Sequence, residues 1–105
     1  CAGTSEEVSR IAALQPDFIA IEPPELIGSG IAVSKAKPEV VSSSVKAAQR
    51  VNSNVKVICG AGVVEPEDVA ASLKLGAFGV LVASGIVKAS NWKKKISELA
   101  KPLVI

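Results

Sequence analysis

Glu22 is the residue of this chain best placed to do chemistry. It ends the apolar run Phe18-Ile19-Ala20-Ile21 and stands directly before Pro23-Pro24. A carboxylate at the end of a strand covered on both faces is partly withdrawn from water, the setting of a general base. The paired prolines stiffen the backbone leaving the strand, and Gly28-Ser29-Gly30 loosens it beyond Leu26-Ile27. A stiff hinge, a short apolar middle and a flexible hinge describe a closing lid. The same residues also suit an exposed glutamate at a loop start with ordinary turn prolines, and the stretch by itself leaves both readings open. Gly60-Ala61-Gly62 and Ala83-Ser84-Gly85 carry no strong acid or base. Their small side chains let backbone amides approach a ligand, and each precedes a helical pattern, so amides and helix dipole together suit an anion. A phosphate held by amides requires no lysine cluster. The balance of twelve Lys+Arg against ten Asp+Glu, a net charge of +2, agrees with that. One such loop is explained as a simple turn; two after successive strands point to an anion site.

The remaining candidates carry less. Cys1 and Cys59 read as small packing residues, with no neighbour in sequence that would activate a thiol. Lys93-Lys94-Lys95 reads as a solvated helix face near a C-terminus, and Glu25 as an exposed loop charge. With no histidine and no carboxylate cluster, no metal is expected. One Trp, two Phe and no Tyr supply no base-stacking platform, so nucleic acid is not an expected partner. No apolar run reaches the roughly 18 residues of a membrane helix, so no membrane partner is expected. Two cysteines are too few for a disulfide framework and favour a reducing, cytoplasmic location. The first residue is Cys1 rather than methionine, and we expect the chain to begin inside a longer gene product.

Four helix signals alternate with three strand signals. Thr4-Ser5-Glu6-Glu7 predicts a capping box, followed by Val8, Ile11, Ala12 and Leu14 at helical spacing until Pro16. Phe18–Ile21 is the first strand. Residues 23–37 hold two prolines and two glycines and read as loop. Pro38 suits the first turn of a helix through Val41, Val45, Ala48 and Val51. Val55–Cys59 is a second strand, Pro66 starts a helix through Val69, Ala70 and Leu73, and Gly76 fits the position past its end. Phe78–Val82 is the third strand. Asn91–Ala100 reads as a basic helix with Ile96, Leu99 and Trp92 turned inward, before the apolar end Leu103-Val104-Ile105.

Helices alternating with buried strands and glycine loops are α/β architecture on a mostly parallel sheet. A doubly wound sheet would carry a Gly-x-Gly-x-x-Gly turn after its first strand, and Gly28-Ser29-Gly30 lacks the third glycine. A closed TIM (β/α)8 barrel instead carries functional groups at the end of every strand, as Glu22, Cys59-Gly60 and Ala83-Ser84 do here. Such a barrel takes about 250 residues. Three strands, with the tail of a fourth at Cys1, make roughly half of one. Alone, that half would leave strand edges open to other chains.

The segment Ile21-Glu22-Pro23-Pro24-Glu25-Leu26-Ile27-Gly28-Ser29-Gly30 resembles the catalytic-glutamate and lid segment of the triosephosphate isomerase family in its archaeal-type form. Cys59-Gly60-Ala61-Gly62-Val63 resembles that family's seventh-strand loop, and residues 79–85 its eighth-strand phosphate loop. The resemblance implies that residues 1–105 are the C-terminal half of a single barrel domain, from roughly the end of strand five through helix eight. It makes Glu22 the base that moves a proton between the carbons flanking a carbonyl. It assigns the substrate phosphate to amides of Ile27 or Gly28, Gly62, Ala83 and Ser84. It implies a triose phosphate substrate, no cofactor, and a homo-oligomer, dimer or tetramer, completed by the N-terminal half of the barrel.

The better-known branch of the family has tyrosine and serine where Cys59 and Gly62 stand, and Gly-Gly where Ala83-Ser84 stand. Amide donation survives those changes, while a side-chain hydrogen bond from the seventh loop does not. The family polarises its carbonyl with a histidine, a lysine and an asparagine from the first half. This chain, with no histidine, is expected to be inactive alone. Another phosphate-binding barrel would keep the loops without needing Glu22 before a Pro-Pro lid. A non-catalytic half-barrel would bind anions or associate without turnover.

Overall fold

The computed structural model describes residues 1–104. Three strands, β1 (Phe18–Ile21), β2 (Lys56–Cys59) and β3 (Gly79–Val80), form one parallel sheet in the order β1-β2-β3. Ala2 adds a parallel bridge to Ile21 on the outer side of β1, with its amide donating to the Ala20 carbonyl at 2.8 Å. The tail of a fourth strand therefore lies where the sequence places it.

Helix α1 (Ser5–Ala12) starts at Thr4, whose hydroxyl accepts from the Glu7 amide at 3.2 Å. Glu7 reaches back to the amide of Gly3 at 3.1 Å, one residue before the cap. The helix stops before Leu14, which is 81% exposed instead of completing the apolar face. Helix α3 (Pro38–Val51) opens on its proline as predicted, but its buried residues are Val41, Ser44, Ala47 and Ala48, while Val51 is exposed. Between them the sequence reading needs correction, because residues 23–37 are not all loop. Pro24–Leu26 forms a 3₁₀ turn and Val33–Ala36 a one-turn helix, α2. Burial of Ala32, Val33 and Ser34 under this turn holds it in place.

Helix α4 (Pro66–Lys74) ends before Gly76, followed by a short α5 (Ser84–Val87) and α6 (Trp92–Ala100). Asn91 caps α6, accepting from the Lys94 amide at 3.0 Å. Only Leu99 of α6 is buried. Ile96 and Trp92 are 51% and 60% exposed, contrary to the inward orientation predicted from spacing. The Trp92 indole lies beside the end of α5 and donates to the Val87 carbonyl at 3.0 Å. The third strand is also shorter than predicted. Among the described residues it has one neighbour, β2, and its ladder extends through the hydrogen bonds of Phe78 to Val57 and of Leu81 to Cys59. Leu103 and Val104 are exposed after a 3₁₀ turn, and Ile105 lies outside the described residues.

Side chains alternate across a strand. Ile19, Ile21, Val57 and Cys59 enter the main core beneath α1 and α3, with Val8, Ala12, Val41 and Ala48. Burying a side chain of the Val or Ile size contributes roughly 1.5–3 kcal/mol. Phe18, Ala20, Lys56 and Ile58 take the opposite face, and by the same alternation Glu22 and Gly60 follow them. At the start of the strands the Lys56 ammonium sits 4.7 Å from the Phe78 ring and 5.8 Å from that of Phe18. At their other end stands Glu22. No helix among the described residues is long and apolar enough to cross a membrane.

Candidate functional site

The parallel register decides what meets Glu22. Ala20 pairs with Ile58 and Ile21 with Cys59, and the Gly60 amide donates to the Ile21 carbonyl at 2.9 Å. Glu22 and Gly60 are therefore neighbours on one face of the sheet. The half-buried Glu22 side chain lies directly over Gly60, where a Cβ would collide with its Cγ, Oε1 and, at 2.7 Å, its Cδ. Among the described residues no cation pairs with this carboxylate.

A small cavity of about 80 Å³ opens beside it. Glu22, Ile27, Gly28, Gly62, Ala83 and Ser84, all singled out from the sequence, line it together. Three loops thus converge on one acid. One of their amides is already engaged: Ile27 donates to the Pro24 carbonyl at 3.3 Å, whereas the neighbouring Gly28 amide has no carbonyl partner among the described residues. Among the described residues the amides of Gly28, Gly62, Ala83, Ser84 and Gly85 donate to no protein carbonyl. A ring of such donors suits the oxygens of a bound anion. Helix dipoles add less than the sequence implies, because α4 begins four residues beyond Gly62 and α5 is a single turn.

The segment 23–31 forms one wall of the cavity through Ile27 and Gly28. Pro23 and Leu26 are buried, whereas Ile27 and Ile31 are exposed. Ser29, read only as part of a flexible hinge, ties the tip together. Its hydroxyl donates to the Leu26 carbonyl at 2.6 Å and accepts from the Ile31 amide at 3.0 Å. Glu25 is exposed as predicted but paired with Lys37, and that hydrogen bond holds its carboxyl below the ordinary value. Lys88 and Lys95 line the outer approach beside Gly28–Gly30. Lys95 thus faces the route an anion would take, which attracts negative charge beyond the amides themselves.

Ala61 and Gly62 both adopt left-handed backbone, with φ of 64° and 72°. For an alanine that conformation costs about 1–2 kcal/mol, and the Val33 amide supports it by donating to the Ala61 carbonyl at 3.4 Å. Gly62 has no room for a side chain, since a Cβ would strike the backbone of Ile31 and, at 2.9 Å, the amide nitrogen of Ala32. Cys59 is buried and its thiol pKa is pushed up by that burial, against an opposing hydrogen bond with Ser72. It is a packing residue, as read; Cys1 is exposed and is not.

Asp68 is the residue that sequence reasoning passed over. Its buried carboxylate accepts from the Val64 and Glu65 amides at 3.0 and 2.9 Å, the closing half of a capping box for α4. Lys35 lies 2.8 Å from its other oxygen. The E-P-E-D spacing before an apolar run signals the cap; nothing local signals Lys35. Burial pushes the Asp68 pKa up, but the Lys35 hydrogen bond and the two amides outweigh it and hold the group below its ordinary value. The ionised form is thus favoured in the folded chain. Its stabilising effect is complete above the unfolded pKa of about 3.9 and disappears as pH falls through the lower folded value. Urea midpoints of wild type and Asp68→Asn should therefore differ at pH 7 and approach each other as pH falls through the lowered folded value; a difference constant with pH would refute this.

The profile described as triosephosphate isomerase matches residues 3–99. The triosephosphate isomerase of Archaeoglobus fulgidus is 58% identical over 99 residues, covering 94% of this chain and 44% of the relative. That of Methanocaldococcus jannaschii is 56% identical over 101 residues, covering 96% and 46%. That of Caldivirga maquilingensis is 60% identical over 93 residues, covering 89% and 41%. The chain spans a little under half the length of the curated relatives it matches.

Proposed function

The chain belongs to the triosephosphate isomerase family, and from that premise we propose that it is the C-terminal half of a single (β/α)8 barrel that interconverts dihydroxyacetone phosphate and glyceraldehyde 3-phosphate. The observation that carries this reading is the meeting of the Glu22 carboxylate with the small-residue loops at Gly62 and Ala83-Ser84 in one cavity. Its half-buried carboxylate takes a proton from the carbon beside the substrate carbonyl, leaving an enediolate, and returns it to the neighbouring carbon. Amides of Gly28, Gly62, Ala83 and Ser84 hold the phosphate, and the lid keeps water from the intermediate. The family is itself a standard case of a glutamate base working beside a neutral histidine. Here the histidine, lysine and asparagine come from the N-terminal half.

The order of the three loops, matching those after strands six, seven and eight, supports placing these residues at the C-terminal end. The open sheet supports a missing half. Among the described residues Ala2 and β3 each lack a strand on one side, and Phe18, Phe78 and Leu81 are exposed. We further propose that the completed barrels form a homo-oligomer, dimer or tetramer, in the cytoplasm, and work without a cofactor.

Complementation tests the assignment. This chain alone should show no isomerase activity, and mixing it with a polypeptide carrying the first half of a relative's barrel should restore turnover. Activity recovered only when the added half is fused after Ile105 would place these residues in the first half. No recovery in any arrangement, with a folded complex formed, would favour a non-catalytic half-barrel.

A further inference from the structure

The returning end of the lid is held at two separate places. At the first, the Ile31 carbonyl and Ala32 amide press against Gly62, and Val33 donates to the Ala61 carbonyl. At the second, Asp68 gathers groups from two other segments, besides the Ser72 hydroxyl of its own helix, which donates to the Asp68 carbonyl at 2.9 Å. Its Oδ2 accepts from Val64 and Glu65, just beyond the Gly60–Gly62 loop. Its Oδ1 pairs with Lys35, and its backbone carbonyl accepts from the buried Ser34 hydroxyl at 3.3 Å. Capping α4 requires only the first pair. Lys35 and Ser34 come from α2, the turn into which the lid runs, more than thirty residues earlier in the chain.

We propose that Asp68 is a positioning residue: through Lys35 and Ser34 it locks the far hinge of the lid to the Gly60–Gly62 loop, so that lid and anion loop become ordered together. The inference rests on the phosphate reading of the site given above. Its consequence is reciprocal coupling. An anion held by the Gly62 amide orders the lid's returning end, and an ordered hinge strengthens anion binding. If removing the lock lowers the ordered fraction from near one to about a tenth, apparent anion affinity falls about tenfold. A bound anion restores the arrangement, so kcat falls far less than KM rises.

The test uses the full-length polypeptide containing these residues, with Lys35→Met, Lys35→Arg and inorganic phosphate as the probe. Lys35 is more than half exposed, so its replacement leaves the core untouched. Lys35→Met should weaken phosphate binding about tenfold and speed amide hydrogen exchange at residues 31–36 at least tenfold. Saturating phosphate should return that exchange to the wild-type rate, KM should rise more than kcat falls, and Lys35→Arg should restore all three. Unchanged phosphate affinity, or unchanged exchange at these amides, overturns the proposal. Exchange and phosphate binding need no turnover. They decide this question even if Glu22→Gln proves fully active and the isomerase reading falls.

Discussion

Replacing Glu22 by glutamine in the assembled barrel should lower kcat by about 10²–10⁴-fold, the usual contribution of a positioned general base. At 1.36 kcal/mol per decade this is about 2.7–5.4 kcal/mol of lost transition-state stabilisation. Glutamine keeps the length and shape of the side chain over Gly60 but cannot take a proton at neutral pH. The amides of Gly28, Gly62, Ala83 and Ser84 do not depend on that carboxylate. Inorganic phosphate should therefore bind the variant within about twofold of wild type, and KM should move little. Steady-state kinetics with a phosphate titration on the same preparation separate the two quantities. Turnover equal to wild type would remove Glu22 from the mechanism.

Gly60→Ala should cost about 10²-fold in kcat by displacing the Glu22 carboxylate rather than removing it. The new Cβ would occupy space now held by the Glu22 side chain. The backbone of Gly60 cannot retreat easily, because its amide is bonded to the Ile21 carbonyl inside the ladder. The carboxylate must move instead, and a displacement near 1 Å is enough for a loss of that order. Phosphate affinity should stay near wild type, since Gly60 donates its amide to Ile21 and the free amides of Gly62, Ala83 and Ser84 keep their residues. In a Glu22→Gln background the same alanine should cost little more, because both changes act through one carboxylate. An alanine variant with turnover within twofold of wild type would show that Glu22 works from a different position.

Much of the site is legible in the primary structure for local reasons. Thr4 and Asn91 accept from amides three residues on, and Pro38 and Pro66 fix φ at their own positions, so helix starts follow from neighbours in the chain. A short apolar run ended by Glu22 and two prolines marks a strand and its exit whatever surrounds it. Small residues at 60–62 and 83–85 announce backbone made accessible, which is also a local property. What the small residues approach is another matter.

Only the parallel register, Ile21 opposite Cys59, brings Glu22 over Gly60 and sets both beside Gly62 and Ser84. The same applies to the departures. Val33–Ala36 coils into α2 because burial against Ala61 and Asp68 favours it, and no cap or periodicity in that stretch says so. Phe78–Val82 shortens to two residues because a strand is only as long as the neighbour that bonds to it. Trp92 and Ile96 point outward because helical spacing fixes which residues share a face, not whether anything lies opposite. Asp68 joins Lys35 across the fold, and an ion pair between residues so far apart exists only once the chain has closed. The sequence by itself thus determined which groups are available and where the chain bends, since those depend on bonded neighbours. The tertiary structure decided which of them meet, since register, burial and charge pairing depend on distance through space.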